Sequence, residues 1–140
     1  MTALEKALAL ALKAHAGQKD KADQPYILHP LRVMVQMEDS RAKIVALLHD
    51  VLEDSEITLN ELSQAGFEDE ILQAVDCLTK RDGEDYFAYL ERVAQNKLAR
   101  QVKMADLKDN LDVTRLKEIT PADRQRLNKY LKALSFLRKD

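Results

Sequence analysis

The sequence predicts an all-α helical bundle, and three observations carry that reading. Three glycines and three prolines in 140 residues leave little material for the hairpin turns of a multistranded β fold. Apolar residues recur at helical spacing along most of the chain. Helix-capping residues and proline or glycine breaks stand where those periodic stretches change.

The elements follow in order. From Thr2 to about Ala16, Leu4, Ala7, Leu8, Ala11 and Leu12 form one apolar face, and Gly17 ends the helix. "QKDKADQ" is a charged loop, and Pro25 stiffens the segment that delivers Tyr26, Ile27, Leu28 and His29. Pro30 suits the first turn of a second helix reaching about Met37. Ser40 is the expected cap of a third, from about Arg41 to Glu53, whose wide apolar face predicts burial at the centre. Thr58 and Glu61 match a capping box, and further helices are expected at about 58–65, 68–79, 84–95, 97–113 and 121–138. Thr120 before Pro121 pairs a cap with a proline in the first helical position.

No repeat or linker interrupts residues 1–140, and a chain of this length forms one domain by ordinary size priors. Hydrophobic residues make up 46%, enough for a core, and the formal net charge of −2 lacks the basic footprint of a nucleic-acid binder. Cys77 is the only cysteine, which rules out an intramolecular disulfide and a cysteine-based zinc cluster. The amphipathic start does not resemble a signal peptide, and no stretch approaches the roughly 20 apolar residues that span a bilayer. A cytoplasmic protein without membrane partners is the expectation.

The chemistry concentrates in "LLHDVLED". His49 and Glu53 are four apart, as are Asp50 and Asp54, so one apolar helix carries four groups able to bind metal or move protons. Burying them without a cation or partners is expensive. Imidazole beside carboxylate suits Mn, Fe, Co or Zn rather than calcium, which takes all-oxygen cages. "PYILHP" brackets His29 with prolines, and "VKMADLKDN" sets Asp106 in an amphipathic helix with Asn110 one turn on. Lys103, three residues before Asp106, reads either as a cation for phosphate or as an aliphatic stem packed on the bundle. "LTKRDGEDYFAYL", with Lys80, Arg81, Tyr86 and Tyr89, reads either as a nucleotide contact or as a helix junction with core aromatics. His15, at the end of the first helix, reads as structural or as compensating the helix dipole.

The ordered series "AHAGQ", "PYILHPLRV", "ALLHDVLED" and "VKMADLKDN" resembles the hydrolase domain of RelA/SpoT-type alarmone enzymes and their single-domain small hydrolase relatives, over about residues 14 to 115. The resemblance implies an HD-domain helical bundle. It implies a metal centre of His29, His49, Asp50 and Asp106, usually for Mn²⁺, with Glu53 and Asp54 beside the catalytic water and Asn110 on the nucleotide. It also implies a reaction, removal of the 3′-pyrophosphate from guanosine tetra- or pentaphosphate ((p)ppGpp) to leave GDP or GTP. Lys19 and Lys21, just before the metal motif, are candidates for substrate phosphates.

One segment departs from the pattern. Relatives carry an arginine, often followed by lysine, in the loop before "PYI", and here Asp20 stands five residues before Pro25. The loop's usual glycine is replaced by Asp23 or Gln24, depending on alignment. Asp20 motivates an alternative substrate, another phosphorylated nucleotide; a nucleotide sensor without turnover is a third reading, opposed by the presence of Glu53 and Asp54.

Overall fold

The computed structural model describes residues 1–139. Among them are nine α-helices, and β pairing is limited to an isolated bridge between Lys19 and Pro25. The helices are α1 (Ala3–His15), α2 (Leu28–Val35), α3 (Ser40–Leu48), α4 (Val51–Asp54), α5 (Leu59–Gln64), α6 (Asp69–Cys77), α7 (Tyr86–Ala94), α8 (Lys97–Asn110) and α9 (Pro121–Arg138). A 3-10 turn, Val113–Arg115, stands between α8 and α9. No helix among the described residues is long and apolar enough to cross a membrane.

The bundle is built around α3. Val45, Ala46, Leu47 and Leu48 are 0% exposed, which makes α3 a buried axis rather than a surface amphipath. It packs against α1, α2, α6 and α8. The small side chains Ala7, Ala11 and Ala14 of α1 are buried, so two backbones can approach closely there. Leu4 and Leu12, expected on the buried face, are 37% and 50% exposed instead. Ala7 and Ala11 of the expected face are sealed in the core and Leu8 packs against it, while Leu4 and Leu12 lie at its margin.

Caps set most boundaries. Thr2 and Glu5 form a reciprocal box at α1, and Thr120 with Asp123 does the same at α9 beneath Pro121. At α5 Thr58 accepts from the Glu61 amide, but the Glu61 carboxylate faces the Thr58 hydroxyl, so the box is only half made. Asp39, not Ser40, caps α3; its carboxylate accepts from the Ala42 amide at 2.8 Å and Ser40 becomes the first helical residue. The helix expected at 97–113 ends at Asn110, after which Asp112 caps the 3-10 turn through the Thr114 amide.

The third helix is also shorter than its apolar run. It stops at Leu48, and α4 resumes at Val51. The His49 imidazole takes the Ala46 carbonyl at 2.6 Å, the acceptor that a continuing helix offers to the Asp50 amide. The side chain thus ends the ladder where the chemistry begins.

Leu47→Ala, at the sealed centre of α3, should lower the unfolding free energy by about 2–5 kcal/mol in a urea titration. Leu131→Ala, 55% exposed on α9, should change it by less than about 0.5 kcal/mol. Equal losses at the two positions would contradict a core centred on α3.

Candidate metal centre and adjoining cleft

Three elements deliver the chemistry to one point. His29 lies in the first turn of α2, His49 and Asp50 form the break between α3 and α4, and Asp106 projects from α8. His29 Nε2 is 2.8 Å from Asp106 Oδ1, and His49 Nε2 is 3.5 Å from the same oxygen. Asp50 Oδ2 lies 3.1 Å from His49 Nε2 and 3.8 Å from His29 Nε2. The Tyr26 hydroxyl donates to Asp50 Oδ2 at 2.5 Å.

The charges are held by one another. Burial disfavours the imidazolium of His29, but the hydrogen bonds of Asp106 and Asp109 outweigh it and its pKa is raised. His49 is raised further, against burial, chiefly by Asp50 and Asp106. Burial also opposes the Asp106 carboxylate, yet the Lys103 ammonium at 2.9 Å and the two imidazoles hold its pKa well below the usual range. Asp50 is lowered to about 2, burial being overcome mainly by His49.

The donor set fits a divalent transition metal. Ligand atoms of His29, His49 and Asp106 lie within 4.8 Å of one another, all three residues being buried. His49 Nε2 has no hydrogen-bond partner although it is sealed from solvent. A buried nitrogen without a hydrogen-bond partner is costly, and once that nitrogen is deprotonated its lone pair and the neighbouring carboxylate oxygens can be satisfied together by one cation. Two imidazole nitrogens with carboxylate oxygens suit Mn, Fe, Co or Zn.

The remaining sequence candidates divide between this centre and its surroundings. Asn110 reaches Asp106 Oδ1 from one turn along α8, at 3.1 Å. Lys103 is committed to Asp106 and to the Tyr89 ring, 5.5 Å away, rather than free for phosphate. Glu53 faces the loop after α6, where its Oε1 accepts the Lys80 amide at 2.6 Å; burial raises its pKa. Asp54 is raised to about 6, first by burial and then by Asp50 and Glu53. Arg81 is spent on Asp76 and the Thr79 carbonyl, while Tyr89 is buried and donates to the Leu78 carbonyl. His15 is buried against Tyr26 and bonded to Gln18, a structural position.

Beside the centre opens a cleft of about 390 Å³. Lys19 and Lys21 line it together with Arg32, Arg115, Arg126 and Tyr130, which the sequence reading missed. Arg126 and Tyr130 stand four apart on α9, a spacing that puts them on one face but does not say what that face meets. Asp109 was missed as well. It stands three residues after Asp106, and its carboxylate accepts His29 Nδ1–H at 2.6 Å.

Asp20 also lines the cleft, and its carboxylate is engaged in the loop itself. Its Oδ1 accepts the amides of Ala22 and Gln24, both at 2.9 Å. Asp23 takes φ +62°, the left-handed conformation that favours glycine. The two acids of the loop thus shape a turn, which aspartate side chains do readily.

No protein-family model matches the chain. It is 35% identical over 136 residues to a GTP pyrophosphokinase of Streptomyces coelicolor, an alignment taking in 92% of this chain and 15% of that one. It is 33% identical over 134 residues to a probable guanosine-3′,5′-bis(diphosphate) 3′-pyrophosphohydrolase of Synechocystis, covering 93% and 17%. A guanosine-3′,5′-bis(diphosphate) 3′-pyrophosphohydrolase of Borreliella burgdorferi is 40% identical over 79 residues, 54% of this chain and 12% of that one. The chain therefore spans less than a fifth of the length of these curated relatives. A solved metazoan ortholog of SpoT, described as hydrolysing ppGpp, shares the fold at a TM-score of 0.80 and 23% identity, over 99% of this chain and 86% of that one.

Metal binding should release protons, because both imidazoles are held toward the charged form in the metal-free chain. Mn²⁺ affinity, measured by calorimetry, should therefore weaken as pH falls from about 8 to about 5.5, and His49→Ala should weaken it at least about tenfold at either end. An affinity independent of pH and of His49 would remove the imidazoles from the ligand set.

Proposed function

We propose, for a chain that shares the motifs and the fold of the RelA/SpoT-type HD hydrolases, the Mn²⁺-dependent removal of the 3′-pyrophosphate from guanosine tetra- or pentaphosphate by a single domain of residues 1–140. The observation that carries the reading is the convergence of His29, His49 and Asp106, with His29 also lining a cleft that carries five cationic side chains beside Asp20 and Asp112. A pyrophosphorylated nucleotide needs a divalent cation at the scissile group and positive charge for its other phosphates.

His29, His49 and Asp106, whose ligand atoms converge, would hold the cation, and Asp50, 3.1 Å from His49 Nε2, would join them as the fourth ligand. When bound, a divalent ion neutralises phosphate oxygens and lowers the pKa of water. The chain's own residues supply the proton transfers. Glu53 and Asp54 have carboxyl groups raised above their usual range, Asp54 to about 6, which brings their proton affinity nearer to working pH. Glu53 is oriented by the Lys80 amide, and we assign it to accept the proton of the attacking water. Asp54, next in sequence and raised to about 6, gives its proton to the 3′ oxygen as the P–O bond to it breaks. Asn110, which lies at both the centre and the cleft, would contact the nucleotide, and Lys19 and Lys21 the outlying phosphates.

One observation favours a second substrate class. Asp20 puts a carboxylate on the cleft wall where the resembling enzymes carry arginine, which suits a nucleotide with fewer phosphates at that end.

Mn²⁺-loaded protein should release pyrophosphate from guanosine tetraphosphate, and Asp106→Ala should abolish the release. Glu53→Gln should keep Mn²⁺ affinity within about twofold while kcat falls by roughly 10²–10⁴. Activity confined to another phosphorylated nucleotide would move the assignment to the second class. Undiminished turnover by Glu53→Gln would remove Glu53 from proton transfer.

A further inference from the structure

Asp109 belongs to neither the proposed ligand set nor the proton-transfer pair, yet it is one of the most buried acids in the protein, 5% exposed. A carboxylate in that position needs strong partners, and it has three. His29 Nδ1 lies 2.6 Å from its Oδ2. Arg32 grips it from α2 through Nε to Oδ1 at 2.8 Å and through Nη2 to Oδ2 at 3.2 Å. Arg115, from the 3-10 turn, approaches Oδ1 to 3.6 Å and donates to the Asp109 carbonyl at 2.8 Å.

This geometry constrains the His29 ring. A carboxylate between two guanidinium groups is an acceptor, so the His29 nitrogen facing it must carry the hydrogen. With Nδ1 protonated, the neutral ring has its lone pair on Nε2, the atom 2.8 Å from Asp106 Oδ1. His49 reaches the same state by a different route, since its Nδ1 faces the Ala46 carbonyl, which can only accept. Both imidazoles are thereby set with Nε2 toward one point, one by backbone and one by a salt-bridged side chain.

We propose that Asp109 is a positioning residue for the metal centre, holding His29 in the tautomer and orientation that present Nε2 to a divalent cation, with Arg32 and Arg115 fixing Asp109 in turn. The proposal rests on the metal-dependent reading above. Carboxylates that accept the second N–H of a liganding imidazole fix its ring and increase its basicity, and their loss weakens metal affinity by about 10–100-fold. Arg32 and Arg115 also line the cleft, so the network joins the cleft wall to His29.

The test reads binding and ring state rather than turnover. In the Zn²⁺-loaded wild-type chain, ¹⁵N NMR of the histidine rings should show His29 protonated at Nδ1 and bare at Nε2. In Asp109→Asn the affinity for Mn²⁺, measured by calorimetry, should fall by about 10–100-fold while the metal-free far-UV circular dichroism spectrum is unchanged. Arg32→Gln should weaken Mn²⁺ binding in the same direction and by less, because Arg115 remains. A folded Asp109→Asn chain that binds Mn²⁺ within twofold of wild type overturns the assignment alone. A His29 ring protonated at Nε2 in the Zn²⁺-loaded wild type also overturns it, whether or not the variant folds. A wild-type chain that binds neither metal overturns both this assignment and the reading it rests on.

Discussion

A buried carboxylate that must stay ionised organises this molecule. Asp106 is 4% exposed on α8, and an isolated charge at that depth would be strongly unfavourable. It is stabilised by an ammonium from its own helix, an amide one turn on, and imidazoles from α2 and from the α3–α4 junction. Three segments distant in sequence are thus tied to one pair of oxygens. The packing of α3 against α2 and α8 brings them into range, and their mutual attraction offsets the desolvation that the packing imposes.

The same economy appears at the end of α3. An apolar helix this deep would ordinarily run on, and its sequence pattern does run on to Leu52. The His49 side chain instead takes a main-chain acceptor, which both halts the helix and orients the ring. Asp50 then lies in a turn, φ −104° and ψ −1°, with its carboxylate against His49 and Tyr26. Local backbone irregularity and site geometry are one event here.

The motif residues were legible because their chemistry conflicts with their surroundings. His49 and Asp50 interrupt the most apolar run of the chain, and His29 is bracketed by prolines; such conflicts are what a sequence displays best. Asp109 and Arg32 create no such conflict. An aspartate three residues after another, or an arginine on an eight-residue helix, reads equally well as a solvated face. Only the approach of α2 to α8 turns them toward each other. Glu53 is similar: that it would meet the Lys80 amide depends on a loop 27 residues away folding back over α4.

Sequence alone determined the helical class, the caps at Thr58 and Thr120, and the residue types able to bind metal and move protons. These depend on local spacing, on side chains bonding to nearby backbone, and on the burial cost of polar groups, all of which are written along the chain. Tertiary structure decided which residues of the α1 face are sealed, where α3 ends, which acids support the imidazoles, and which cations share the cleft. Those outcomes depend on how helices separated by tens of residues cross, and on which of several chemically equivalent charges the crossing brings within hydrogen-bond reach.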